Sequence, residues 1–229
     1  MERGGAPRRE VVIPGDLLDG HGLKPGSGTF AEGGRIYAAL LGIRSESEGY
    51  VDVIPLSGVY IPRPRDVVVG KVIDAGASHW LVDINSPYPA PLHATESPWR
   101  VEFGETSHFM DVGDSLLAKV LAVDETKRVQ ITMQDRGLRR LTGGQIVEIS
   151  HSKVPRVIGK SGSMISMINS YTKTQAFVGQ NGRIWLDGEV KDTVHAVRAI
   201  RMIEEHAQSM GLTEAVKAYL ESAYGPKEG

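Results

Sequence analysis

The run Gly159-Lys160-Ser161-Gly162 puts a cation and a hydroxyl between two glycines. Glycine lacks the Cβ that would hold a backbone away from a bulky anion, so such a loop lets main-chain N–H groups approach one closely. Met164, Ile165, Ile168 and Tyr171 follow at helical spacing, so a helix starting at the loop aims its free N–H groups at the same point. Lys153 and Arg156 flank the loop, and Ile158 and Ile165 supply an apolar floor beside it. This is the chemistry of holding an anion. A tight turn between two helices would explain the glycines, but not a lysine between them in a basic segment.

Sets that could make or break bonds do not emerge. The seven histidines are His21, His79, His93, His108, His151, His195 and His206, and none forms an i, i+4 pair that would hold zinc. His195 and His206 are expected on the solvent face of a helix. With no cysteine there is no disulfide, thiolate metal site or thiol nucleophile. No Gly-x-Ser-x-Gly elbow occurs, and Gly159-Lys160-Ser161 lacks the upstream glycine of a P-loop. Asp111 and Asp114 flank Gly113 and read as a solvated turn. We expect no catalytic residue, metal or cofactor.

The elements that must position the loop follow from pattern. The chain has 229 residues, 41% hydrophobic and 24% charged, with 27 glycines and 12 prolines, which suits two or three compact domains with many turns. No apolar run reaches the length of a membrane span, and no signal peptide is visible, so a cytoplasmic protein is expected. The net charge of -2 conceals a division. Residues 139–210 carry 10 basic and 6 acidic groups, whereas every other segment is mildly acidic. An anionic ligand therefore belongs with the third segment.

Residues 1–62 alternate short apolar stretches with Gly/Pro turns and read as a small β module. Pro62-Arg63-Pro64-Arg65 is a stiff junction. Residues 63–138 hold five strands: VVVGKVIDAG, HWLVDIN, APLHAT, SLLAKVLAV and VQITMQD. Five strands without a long helix suggest an OB-type barrel. Residues 139–229 run strand, helix, helix, strand, strand, helix, with Asn181-Gly182 as a two-residue hairpin turn. Val190, Val194, Val197, Ile200, Ile203 and Ala207 mark one face of the long helix. Thr213 can cap a last helix containing Val216, Leu220 and Tyr224, and the closing GPKEG is expected to fray. The fold class is mainly β with an α+β C-terminal part.

A G-x-x-G loop between two helices in the βααββα order resembles a KH domain, whose loop clamps a sugar–phosphate backbone. The barrel resembles the S-one domain, on VVVGKVIDAG, Leu81-Val82-Asp83, Leu92-His93 and VGDSLLAKVLAVDETKRVQITMQD. That family stacks bases on aromatics of its second strand, and the matching positions here are Ser78 and Leu81. Trp80 lies in the opposite phase unless a bulge re-aims it, and is read as packing; Lys71 and His93 are the expected remnants of the RNA face. Trp185, outward on its strand, is expected to be buried against another domain or chain.

With Pro14-Gly15-Asp16 and Lys24-Pro25-Gly26-Ser27-Gly28-Thr29 near the start, the whole chain resembles the KH-bearing RNA-binding cap subunit of the archaeal exosome. The resemblance implies a non-catalytic subunit that captures single-stranded RNA. It would guide that RNA to the pore of a hexameric ring of RNase-PH-like exosome subunits, with three copies per ring. The RNA-binding residues expected are Lys153, Arg156, Ile158, Gly159, Lys160, Ser161, Gly162, Lys71 and His93. The alternative is a transcription or translation factor of the antitermination type, which usually carries two KH modules; one G-x-x-G between two helices occurs here.

Overall fold

The computed structural model describes residues 10–18, 22–47, 49–56, 58–209 and 211–226. His21 and the outermost residues of both termini, the last three of GPKEG among them, lie outside that set. The chain divides into two compact units, Met1–Gly58 and Val59–Gly229.

The first unit is all β. Strands β1 (Val11–Val12), β2 (Lys24–Pro25), β5 (Gly42–Ser47) and β6 (Tyr50–Pro55) form one sheet in the order β1-β5-β6-β2, and β3 (Thr29–Glu32) pairs with β4 (Arg35–Ala38) as a hairpin. Alternation along β6 turns Val51 and Val53 inward, where they meet Val12, Leu18, Ile36 and Ala38.

The second unit opens with a barrel. Its strands are β7 (Val67–Ala75), β8 (His79–Asp83), β9 (Ala90–His93), β10 (Ser115–Val123) and β11 (Val129–Thr132). Antiparallel pairs β7–β8, β8–β9, β10–β11 and β7–β10, with the parallel pair β9–β11, close the ring. Closure removes free sheet edges, and the interior is filled by Val68, Val72, Trp80, Val82, Leu92, Leu116, Val120 and Ile131. The connection from β9 to β10 carries a 3-10 turn at Ala94–Glu96 and a one-turn helix α1 (Thr106–Phe109). The Asp111–Asp114 segment is a turn: Asp111 N–H donates to the Asp114 carboxylate at 2.8 Å, and Asp114 pairs with Arg140 at 2.9 Å. A two-residue strand β12 (Arg140–Leu141) extends the β10 edge.

The KH domain follows: β13 (Gln145–Glu148), α2 (Val154–Ile158), α3 (Ser163–Thr172), β14 (Gln175–Val178), β15 (Arg183–Asp187) and α4 (Val190–Glu205). The sheet order is β13-β15-β14, all antiparallel. A final helix α5 (Leu212–Tyr224) packs on α3 and α4. The core joins Val147, Val157, Met164, Ile168, Ile184, Leu186, Ile200, Ile203, Val216 and Leu220.

Three expectations about this domain are corrected. The buried face of α4 is Thr193, Ala196, Ala199, Ile200 and Ile203, while Val190 and Val194 are 84% and 58% exposed. Small side chains let the helix approach its neighbours closely, so they take the inner face in place of the valines. The β14–β15 connection is four residues, 179–182, because Gly179 N–H still bonds Arg183 O and pairing stops there. Gly211, in the left-handed conformation, stands at the N-cap of α5, and Thr213 lies inside the helix.

Barrel and KH domain share an apolar seam. Ile146, Phe177 and Trp185, on the KH sheet face away from its helices, meet Val69, Leu117, Leu138 and Leu141. Trp185 is 5% exposed; its indole N–H donates to Gly143 O at 3.0 Å, and the Arg139 guanidinium lies 5.6 Å from its ring centre. The outward tryptophan is thus buried against a neighbouring domain. Polar contacts complete the seam. Asn181 is fully buried; its amide donates to Val69 O at 2.8 Å and Ile84 O at 2.9 Å, and its oxygen accepts from Val69 N–H at 3.3 Å. The Arg183 guanidinium donates to Asp83 O, the Asp83 carboxylate and the Glu148 carboxylate at 2.8, 2.6 and 2.8 Å.

Candidate nucleic-acid interface

The loop between α2 and α3 has a backbone that its glycines permit. Gly159 has φ +74, and a Cβ there would stand 2.7 Å from Met164 Cβ and 2.8 Å from Met164 N. The first glycine is therefore required by packing where α2 turns into α3. Gly162 has φ +80 with only Ser166 Oγ near, at 3.9 Å, so it faces open space. It occupies the N-cap of α3 without a side-chain cap. The Ser163 N–H that opens the ten-residue helix turns back to Lys160 O, and an exposed lysine, Lys160, and an exposed Ser161 at φ +51 stand beside that start. Helix N-terminus, cation and open backbone coincide, an arrangement suited to a phosphate. Ile158 and Ile165, on either side of the loop, are partly buried against the core.

The flanking cations divide. Lys153 ends a 3-10 turn, His151–Lys153, directly before α2 and is half-buried. Arg156 turns the other way: its Nε–H donates to Ala207 O at 2.6 Å and one terminal nitrogen to Ser209 O at 3.4 Å. Its guanidinium satisfies carbonyls just past the end of α4. A cation there is favoured by the helix dipole, and its geometry serves the fold instead of the loop.

On the barrel, Trp80 points inward and is fully buried, with its indole N–H on Met110 O at 2.9 Å and the Trp99 ring 6.3 Å away, edge-on. The bulge lies on β7, between Val72 and Asp74, and leaves the phase of β8 unchanged. Leu81 faces outward where the S-one family stacks an aromatic. His93 sits at the end of β9 with Nδ1 accepting from Thr95 N–H at 3.3 Å and 2.8 Å from Thr95 Oγ1, a contact that caps the 3-10 turn. His79 lies directly across the strand pair from His93. The two histidines, with Pro91, Leu121 and Gln130, line a depression of about 450 Å³. Sequence reasoning missed His79, although the alternation of β8 gives it the same outward phase as Leu81.

Lys71 does not join them. It pairs across β7–β8 with Asp83 and lines a separate cleft of about 750 Å³ between barrel and KH domain, with Arg183, Glu148, Arg201 and Trp185. Lys71 and His93 therefore serve different depressions, because the barrel curves between them. Among the described residues no group of three or more His, Asp or Glu side chains could hold a metal ion, and no helix is long and apolar enough to cross a membrane. His195 is half-buried, its Nδ1 2.8 Å from the Tyr219 hydroxyl, so it faces α5 instead of solvent. Burial, with a hydrogen bond to the Asp192 carboxylate, holds the nearby Tyr224 phenol well above its usual range.

Comparison with known proteins agrees with these shapes. Residues 9–57 match the family model of the exosome RNA binding protein RRP4 N-terminal domain, and residues 144–192 match a KH domain. The Exosome complex component Rrp4 of Picrophilus torridus is 44% identical over 221 residues, 96% of this chain and 96% of the relative. That of Methanosarcina mazei is 46% identical over 214 residues, 93% of this chain and 82% of the relative. A crystal structure of a candidate exosome complex RNA-binding protein superposes with a TM-score of 0.66 at 39% identity, covering 72% of this chain and 97% of that one. Similar to these relatives along nearly all of its length, the chain belongs to the Rrp4 family of exosome complex components.

Proposed function

We propose that this chain is an RNA-binding exosome subunit that captures single-stranded RNA and guides it to the pore of a hexameric RNase-PH-like ring, three copies to a ring. The observation that carries the RNA reading is the loop at Gly159–Gly162, where the open backbone at Gly162 and the exposed Lys160 stand together at the start of α3. Phosphates supply most of the affinity at such a site, so sequence preference is modest. The interface consists of Lys153, Ile158, Gly159, Lys160, Ser161 and Gly162, with the His79–His93 face of the barrel as a weaker second contact and Lys71 apart from both.

The modules keep the expected division of labour: residues 1–62 grip the ring, residues 63–138 present the barrel, and residues 139–229 hold RNA. The match of the first module to the Rrp4 N-terminal domain supports a role in assembly. The test is fluorescence anisotropy with labelled single-stranded and duplex RNA. Saturable, salt-dependent binding of the single strand, weaker for the duplex, is expected. Equal binding of both, or none, would defeat the reading.

A further inference from the structure

The segment Tyr60–Asp66 that leads into the barrel is built as a rigid strap. Pro62 and Pro64 fix φ at two positions. Tyr60 is buried in the barrel core, and its hydroxyl donates to Asp66 Oδ2 at 2.7 Å. Arg63 N–H donates to the same oxygen at 3.0 Å, and Asp66 N–H returns to Arg63 O at 3.1 Å. Arg65 N–H donates to Val120 O at 2.8 Å. Both arginine side chains are exposed.

Arg65 has φ +78, a left-handed conformation that glycine adopts without the Cβ penalty. A turn needed only for its backbone is met with less strain by glycine. An arginine held there points to a use for its side chain.

The strap also touches the KH domain. The Tyr60 ring meets the His151 ring edge-on, with centroids 6.2 Å apart. His151 opens the 3-10 turn that ends in Lys153, and α2 then spans about 7.5 Å at 1.5 Å per residue before the loop. The turn that carries His151 and Lys153 thus lies beside the strap that carries Arg63 and Arg65, and Lys160 lies beyond α2.

We infer that the strap is a second phosphate-binding element, and that a single strand held at the KH loop continues past Lys153 and His151 onto Arg63 and Arg65. The inference rests on the RNA-binding reading above. Cations on a backbone that is already ordered lose little further freedom on binding.

The test uses the full chain with labelled oligouridylates of four and twelve nucleotides; four is about the length one KH domain clamps. In an Arg63→Gln/Arg65→Gln variant, the slope of log K against log salt for the twelve-mer should fall by about 1.4, two phosphates at roughly 0.7 each. Binding of the four-mer should not change. Arg65→Gly should weaken the twelve-mer while its Tm stays level or rises, which a merely structural arginine would not do. Wild-type slopes for the twelve-mer in both variants would overturn the inference, as would equal losses on both oligomers. If the wild type binds neither oligomer, the RNA-binding reading itself fails.

Discussion

Gly162→Asp separates binding from folding at the KH loop. The position has φ +80 and ψ 8, and no heavy atom lies closer than 3.9 Å to a Cβ placed there. An aspartate therefore fits, at a backbone cost of about 1 kcal/mol in a conformation that Asp tolerates better than most residues. The new carboxylate stands next to Lys160, where a phosphate is expected. Loss of one charge-assisted hydrogen bond corresponds to about 2 kcal/mol, roughly 30-fold in Kd. The salt dependence should flatten by about 0.7 for each phosphate of a single strand that the protein no longer neutralises. Circular dichroism and a Tm within a few degrees of wild type establish the fold; anisotropy titrations at several salt concentrations read the binding. A folded variant with wild-type affinity and slope would refute the loop as the main site. Gly159→Asp is the wrong variant for this purpose, because its Cβ would collide with the start of α3.

Trp80→Ala should cost about 3–5 kcal/mol by emptying the barrel core, visible as a lower urea midpoint, with the RNA affinity of the folded fraction unchanged. Asn181→Ala leaves Val69 N–H, Val69 O and Ile84 O without their amide partner and should cost about 3 kcal/mol; tryptophan fluorescence in urea, reporting Trp80, Trp99 and Trp185, checks it. Lys71→Glu and His93→Ala should each weaken RNA binding less than Gly162→Asp, since they line depressions apart from the loop; anisotropy that ranked either above it would reverse the order of the two sites.

Much of the architecture is legible because its signals are local. Strand β10 is SLLAKVLAV from end to end, and the G-x-x-G loop falls between its two helices. What stayed hidden depends on how distant elements meet. Asn181 reads as a turn residue until the barrel places Val69 and Ile84 against it. Arg156 reads as a groove cation until Ala207 O arrives from about fifty residues downstream. The valines of α4 are more hydrophobic than its alanines, yet close packing of a helix selects size as well as polarity. Lys71 and His93 read as one RNA face because the sequence does not show the curvature that separates them. The junction near Pro62 is visible as proline spacing, but Tyr60 belongs to the barrel core, so an informative cut lies after Gly58.

Size-exclusion chromatography of the full chain, and of a fragment beginning at Val59, each mixed with purified ring subunits and a labelled single-stranded RNA, decides whether this protein links RNA to the ring. The full chain should elute with both ring and RNA, whereas the fragment should keep the RNA and leave the ring. A full chain that ignores the ring, or a fragment that joins it at full stoichiometry, would contradict the proposed division between a docking module and an RNA-binding one.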